Sequence, residues 1–393
     1  VDVDYRNLQL DMNQPLPSAT PRPRVKTPTT ILVTGGAGFI GSTMVQLLLE
    51  QTIYTVVVVD NLSRGWRPNV DALRASGLTH FYNLDLSDTN ELAAIMVRHH
   101  VHVVIHFAAN AFASESVDRP LLYFHNITQN TLSVAEAMET AGVTALVYSS
   151  SCATYGNVES KYMPVSEATP QLPVSPYGAA KKSGEDLLLS AFDARKQKER
   201  PFRVALLRYF NVIGADPSQR VGPALRPELR HYQRVTEACL DAAEGHSTGM
   251  QINGVDYLTP DGSVVRDYVH VTDLASAHLA VLEALAAMGD MATERLIYNV
   301  GVGRGYSVRE FARACQDATG VQFPVHEHPR RAGDPPYVVG DARLIYAELG
   351  WRASHTNLTE SLEHAWRWRL VARASSSHKH HKPGHSHPAR RGI

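Results

Sequence analysis

From residue 30 onward, apolar positions fall into short runs separated by amphipathic stretches. Thr30–Thr34 is a β-branched run that predicts a strand, and a glycine loop and a helical stretch over Ser42–Glu50 follow it. Val56–Val59 predicts a strand buried on both faces and ending at Asp60. His80–Asn83, Val103–Phe107, Ala145–Ser149 and Arg203–Tyr209 predict further strands. Glu91–His100, Pro120–Gly142 and Tyr177–Phe192 predict the helices between them. Such alternation implies an α/β fold, a doubly wound parallel sheet with helices on both faces. After Asn211 the rhythm changes to longer loops with scattered Pro and Gly, which predicts a smaller α+β domain built on the first. The expected partition is an irregular lead-in over 1–29, a large domain over 30–211, a second domain over 212–370 and a tail over 371–393. Residues 265–300 are expected to return to the large domain. No internal repeat is visible.

Composition removes several classes of function. Lys plus Arg is 38 and Asp plus Glu is 39, a balance that argues against nucleic acid as a partner. Cys152, Cys239 and Cys315 are odd in number and far apart, which fits free thiols better than disulfides or a metal site. No apolar run reaches the roughly 18 residues of a membrane-spanning helix, so no membrane contact is expected in this chain. A cytoplasmic location is expected; a Golgi lumen is the alternative if an upstream anchor has been removed. His378, His380, His381, His385 and His387 read as a solvated tail rather than a metal site, because no acidic or Cys ligands accompany them. His99, His100 and His102 read as surface or packing residues. Trp351, Trp366 and Trp368 are expected to pack the second domain's terminal helix.

The loop Thr34-Gly35-Gly36-Ala37-Gly38-Phe39-Ile40-Gly41 joins the first strand to the first helix. Glycines at 35, 38 and 41 suit a tight turn, close backbone approach to a pyrophosphate and close helix–strand packing. The helix amides then face the phosphates. Asp60 ends the next strand, where a carboxylate can accept from both ribose hydroxyls of NAD and repel the extra phosphate of NADP. Arg64 complicates that choice, but NAD is the expected cofactor.

Ser175-Pro176-Tyr177-Gly178-Ala179-Ala180-Lys181 places Tyr177 and Lys181 at i and i+4, on one helix face. A free Tyr, with a pKa of about 10, is a poor base at neutral pH. A nearby ammonium and a cationic nicotinamide are expected to bring it toward the working range. Lys181 can also hold the nicotinamide ribose. The run Ser149-Ser150-Ser151 ends a strand and can supply a hydroxyl to a substrate oxygen and to Tyr177. Some proteins of this fold only sense NAD, but those typically lack the Tyr or the Lys.

With these motifs the chain resembles the extended short-chain dehydrogenases of the Rossmann fold, and within them the UDP-galactose 4-epimerase family. The likeness runs from about Thr30 to Arg369. It is carried by the segments above and by Val104–Ala109, Arg208–Asn211, Arg266–Asp273 and Arg330–Asp334. The resemblance implies NAD contacts from Phe39, Ile40, Asn61 and Ser149. It also implies that Asp85 and Leu86 frame the adenine, that Phe107, Ala108, Ala109 and Asn126 line the channel, and that Phe210 packs by the nicotinamide. It implies a UDP-sugar substrate, with Asn211, Arg266 and Arg331 on its diphosphate and Asp334 on the uridine ribose. Ser151 and Tyr177 would meet the sugar. A homodimer is implied as well.

Two departures narrow the resemblance. Ala111 stands where many galactose epimerases carry a lysine, and Arg226-Pro227-Glu228-Leu229-Arg230 replaces their Asn-Asn-Leu-Met stretch. The latter, with Asn211-Val212-Ile213-Gly214, looks most like plant-type UDP-arabinose 4-epimerases, which interconvert UDP-xylose and UDP-arabinose. Arg234 is then expected to take over a phosphate contact. Related dehydratases carry an acidic pair after the catalytic Ser or Thr, and decarboxylases keep a Glu nearby. Here the positions hold Cys152, Ala153 and Thr154, which cannot do that acid–base work. The expected reaction is therefore C4 epimerisation through a 4-keto sugar, with glucose–galactose exchange as the alternative. Val338 is expected to tune the sugar pocket.

Overall fold

The computed structural model describes residues 4–6, 29–331 and 334–377. The His-rich tract and most of the lead-in lie outside them. The described strands, in chain order, are β1 (Thr30–Thr34), β2 (Thr55–Val59), β3 (His80–Tyr82), β4 (Val103–His106), β5 (Ala145–Ser151), β6 (Phe202–Tyr209), β7 (Asn211–Ile213), β8 (Met250–Asn253), β9 (Val265–His270), β10 (Thr293–Val300), β11 (Gly305–Ser307), β12 (Val325–His328) and β13 (Tyr337–Val338). Seven form one parallel sheet in the order β10-β6-β5-β4-β1-β2-β3. The order reverses between β1 and β4, which opens a crevice at their carboxyl ends.

Both faces of this sheet are covered. Val56, Val57, Val58 and Val59 are buried on alternate sides, in two separate apolar clusters. Continuous β-branched runs suit a strand that faces protein on both sides. The helix that carries Tyr177 and Lys181 runs Pro176–Gln197, longer at both ends than the pattern predicts. Ser175 caps it by accepting from the Gly178 amide at 3.2 Å, and Pro176 sits where no helical N–H is needed. The 120–142 stretch is interrupted by a π-helical turn over Phe124–Gln129. A helix over Arg67–Ala75 has no counterpart in the predicted elements.

The second region is built from two small sheets. β7, β11 and β13 all pair with β9, and β8 pairs with β12. The chain rejoins the large sheet later than residue 265: β9 belongs to the small sheet, and the helix Val271–Ala287 is the first element to pack back. Trp351 corrects another expectation. It lies in the large-sheet core and donates to Ser276 Oγ at 2.9 Å, away from the terminal helix Leu358–Ser377. Trp368 does pack that helix, edge-on to Trp66. Among the described residues no helix is long and apolar enough to cross a membrane.

Candidate active site

A cavity of about 600 Å³ opens at the carboxyl ends of β1 and β4 and extends beneath the second region. Its floor is backbone. Gly35 has φ +71°, and a Cβ there would stand 2.6 Å from the Ala108 amide, so the loops after β1 and β4 can touch only through glycine. A Cβ on Gly41 would stand 2.2 Å from the Gly35 carbonyl. Gly38 differs, because a Cβ would meet only that carbonyl, at 3.2 Å. The helix beginning at Phe39 has no side-chain cap, unlike the helices capped by Ser175 and Ser307. Its first-turn amides lack intrahelical partners and face the cavity beside Gly38, Phe39 and Ile40. This cradle fits a pyrophosphate.

Asp60 lies at the end of β2 and accepts from the amides of Ala37 at 3.0 Å and Leu62 at 2.8 Å. Burial raises its pKa, and Arg226 from the second region opposes that. Arg64 is engaged elsewhere: its guanidinium binds both oxygens of buried Glu115, at 2.7 and 2.9 Å. It therefore offers little charge to an added phosphate. Asn61, Leu86, Phe107, Ala108, Ala109 and Asn126 line the cavity. Asp85 does not; it accepts from Asn61 at 2.6 Å and from the Ser87 amide and hydroxyl, so it shapes the wall from behind. Asn126 sits in the π-helical turn and accepts from the Asn110 amide at 2.5 Å.

Tyr177, Lys181, Ser149 and Ser151 all line the cavity. The helix can approach the turn after β5 because residue 178 is Gly, where a Cβ would stand 2.3 Å from the Ala153 carbonyl. Lys181 donates to the Ser149 carbonyl at 2.5 Å and lies 5.1 Å from the Tyr148 ring centroid. Ser149 bonds the Tyr209 hydroxyl. Burial lowers the Lys181 pKa to about 7, and nearby Glu185 opposes the shift. Burial raises Tyr177 to about 12, opposed by the Ser151 hydroxyl and the charge of Arg234. The expected fall toward neutrality called on both an ammonium and a cationic nicotinamide, and the protein's own groups do not supply it alone. The protein alone leaves the phenol protonated, because desolvation outweighs its neighbours.

Behind this centre lies a buried network that the sequence reading missed. Glu185, one turn after Lys181, is fully buried and receives Arg208 at 2.6 Å, Gln171 at 2.9 Å and the Ser150 hydroxyl. Arg208 also donates to the Tyr155 hydroxyl at 3.1 Å, which donates to Asn299 at 2.8 Å. The network ties β5, β6, β10 and the Tyr–Lys helix together. Its signal was available: Glu185 continues the i, i+4 series of Tyr177 and Lys181, and Arg208 opens the Arg208–Asn211 motif.

On the far side, Phe210, Asn211, Arg234, Arg266, Asp334 and Val338 line the cavity. Arg266 and Asp334 form an ion pair with each other. Arg234 pairs with Glu237 and lies over the Phe112 ring, 5.4 Å from its centroid. Arg331 is exposed and is not part of the cavity wall. Asn211 donates to the Asp267 carbonyl at 3.2 Å. Burial raises Asp267 to about 6 even though three backbone amides donate to it.

The fold and this site define a dinucleotide-binding α/β scaffold with Tyr177, Lys181 and Ser151 at its crevice. The chain belongs to the NAD dependent epimerase/dehydratase family, which it matches over residues 31–301. It is 49% identical over 352 residues to UDP-arabinose 4-epimerase 1 of Arabidopsis thaliana, covering 88% of this chain and 80% of that one. It is 38% identical over 356 residues to UDP-glucose 4-epimerase of Halalkalibacterium halodurans, covering 91% and 97%. The fold matches a UDP-glucose 4-epimerase of Stenotrophomonas maltophila, solved with bound NAD and formylated UDP-arabinopyranose. That match has a TM-score of 0.79 at 36% identity and covers 88% of this chain and 99% of the other.

Proposed function

We propose that this chain is an NAD-dependent UDP-sugar 4-epimerase whose preferred pair is UDP-xylose and UDP-arabinose. One observation carries the reaction type. Tyr177, Lys181 and Ser151 converge in the cavity, and the residues after Ser151 are Cys152 and Ala153 rather than an acid pair. Burial raises the Cys152 thiol to about 12, so it remains a neutral wall of the pocket.

The glycine cradle, Asp60, Asn126 and Lys181 would hold NAD. When bound, NAD would supply a reversible hydride acceptor for C4 and a positive charge beside Tyr177. Ser151 holds the sugar O4, and Tyr177 removes its proton and later gives one back. Lys181 supports the phenolate electrostatically and binds a ribose. Asn211, Arg234 and Arg266 hold the diphosphate, so the 4-keto sugar can turn about that anchor and present its other face. With no group placed to eliminate water or carbon dioxide, the ketone is reduced again.

The pentose preference is supported by the higher identity to the arabinose enzyme than to the glucose enzyme. A homodimer is part of this reading and is supported by apolar Val117, Leu121 and Phe124, exposed near the π-helical turn. A reducing, cytoplasmic setting is supported by three thiols, none in a disulfide. The test is turnover of UDP-xylose, UDP-arabinose, UDP-glucose and UDP-galactose by purified protein without added NAD. The pentose pair is expected to exchange fastest, and Tyr177→Phe is expected to lower kcat by about 10²–10⁴. Full activity in Tyr177→Phe would overturn the assignment.

A further inference from the structure

The lead-in was expected to be irregular, yet Tyr5 is as buried as any core residue, at 1% exposure. Arg6 folds back on Asp4, its amide and Nε both 3.0 Å from Asp4 Oδ1, so the tyrosine lies between the two ends of a local turn. The Tyr5 amide donates to the Leu258 carbonyl at 2.7 Å, and its hydroxyl donates to the Val158 carbonyl. Its ring stacks on Tyr337, with centroids 5.2 Å apart and planes 13° from parallel.

These three partners come from separate parts of the chain that meet behind the sugar end of the cavity. Val158 follows Ser151 and packs with Tyr155, Phe210 and Val338. Tyr337 is the β13 neighbour of Val338, and that strand pairs Val338 with Arg266 on β9. Leu258 lies on the approach to β9. Nearby backbone bonds also tie these walls: the Val165 amide donates to the Val339 carbonyl and the Asp341 amide to the Val165 carbonyl, each at 2.8 Å, and the Val265 amide donates to the Pro336 carbonyl at 2.9 Å. Val338 and Arg266 face the cavity on one side while Tyr5 covers the Val265, Tyr337 and Val339 cluster on the other.

We infer that Tyr5 is a positioning residue that staples the segment after the catalytic serine to β13 and thereby sets where Val338 and Arg266 stand against the UDP-sugar. It touches no substrate itself. The inference rests on the proposed UDP-sugar substrate. A ring and a buried hydrogen bond held by one residue add side-chain restraint to β13, a two-residue strand at the edge of its sheet.

The test uses the full chain with Tyr5→Ala and Tyr5→Phe, reading UDP affinity by calorimetry, KM and kcat, and retained NAD. Tyr5→Ala is expected to weaken UDP binding and raise KM by about tenfold, with kcat within about twofold and NAD retention unchanged. Tyr5→Phe keeps the ring and loses the hydroxyl, so most of the affinity is expected to return, to within about threefold of the parent. In the Tyr5→Ala/Tyr337→Ala pair, the second change is expected to add little, because the rings act as one unit. Folded Tyr5→Ala with parental UDP affinity overturns the staple, as does a loss that falls equally on kcat and NAD retention. If Tyr5→Ala does not fold, Tyr5→Leu decides: it keeps apolar volume but loses both the ring stack and the hydroxyl, so parental UDP affinity there overturns the staple. A parent chain that binds no UDP instead overturns the substrate class.

Discussion

The two ends of the cavity are made differently. At the β1–β4 end the contacts come from backbone: an uncapped helix start, a glycine at positive φ, and a carboxylate already held by two amides. At the far end they come from long charged side chains that are paired in advance, Arg266 with Asp334 and Arg234 with Glu237. A backbone cradle loses little entropy when it takes a ligand. Paired arginines must exchange one anion for another, which costs affinity but lets the second ligand leave. That difference suits a cofactor that stays and a substrate that turns over.

The first way to break the comparison is at the cradle. Gly38→Ala asks only a small shift of the Gly35 carbonyl, which its methyl would meet at 3.2 Å, yet it fills the space above the loop. Turnover is expected to fall by about 10²-fold through misplaced cofactor, with an unchanged melting temperature. Gly41→Ala forces backbone apart, since its methyl would stand 2.2 Å from a carbonyl, and adds a stability loss of about 1–3 kcal/mol. Assaying bound NAD and thermal unfolding together separates the two. If Gly38→Ala retains NAD and activity, the backbone account fails.

The next effect lies at the charged end. Arg266→Ala is expected to raise KM by roughly thirtyfold or more, because it removes a charge from the diphosphate site and leaves Asp334 unpaired. Asp334→Asn removes the competitor for Arg266, in a partly exposed pair worth about 1 kcal/mol or less, and keeps a side chain that can hydrogen-bond a ribose, so UDP affinity is expected to change by less than about fivefold. Equal losses in both variants would show that the pair, rather than the free arginine, holds substrate.

The smallest effect is on stability with pH, and it spans both regions. Burial lowers His106 to about 3, His270 to about 3 and His278 to about 4. Between those values and the unfolded value near 6.5, the unfolded chain binds protons that the native chain refuses, so stability falls on acidification. Asp267 has the opposite sign: raised to about 6, it takes a proton in the folded state that the unfolded carboxylate takes only near 3.8. Buried Asp60 and Glu167, also raised by burial, share the sign of Asp267. The three deeply lowered histidines oppose them, and Lys181, lowered to about 7, shares the histidines' sign. The melting temperature is expected to fall by about 3–5 °C from pH 7 to pH 5, and His106→Gln is expected to flatten that slope. A melting temperature that rises across this range would show that the raised carboxyls dominate.

By itself, the sequence determined what is local. Alternating apolar runs specified a parallel sheet because each strand's burial is written in its own residues. The glycine loop is contiguous, and Tyr177 and Lys181 share a helix face at any four-residue spacing. Tertiary structure decided what depends on distant segments meeting. Arg64 turned to Glu115, Asp85 stood behind the wall, Arg331 stayed outside it, and Glu185 found Arg208. Tyr5 left an apparently irregular lead-in to become core. The Tyr177 phenol shows the same division. Its position was legible from spacing, but its proton affinity was not, because desolvation depends on everything packed around it.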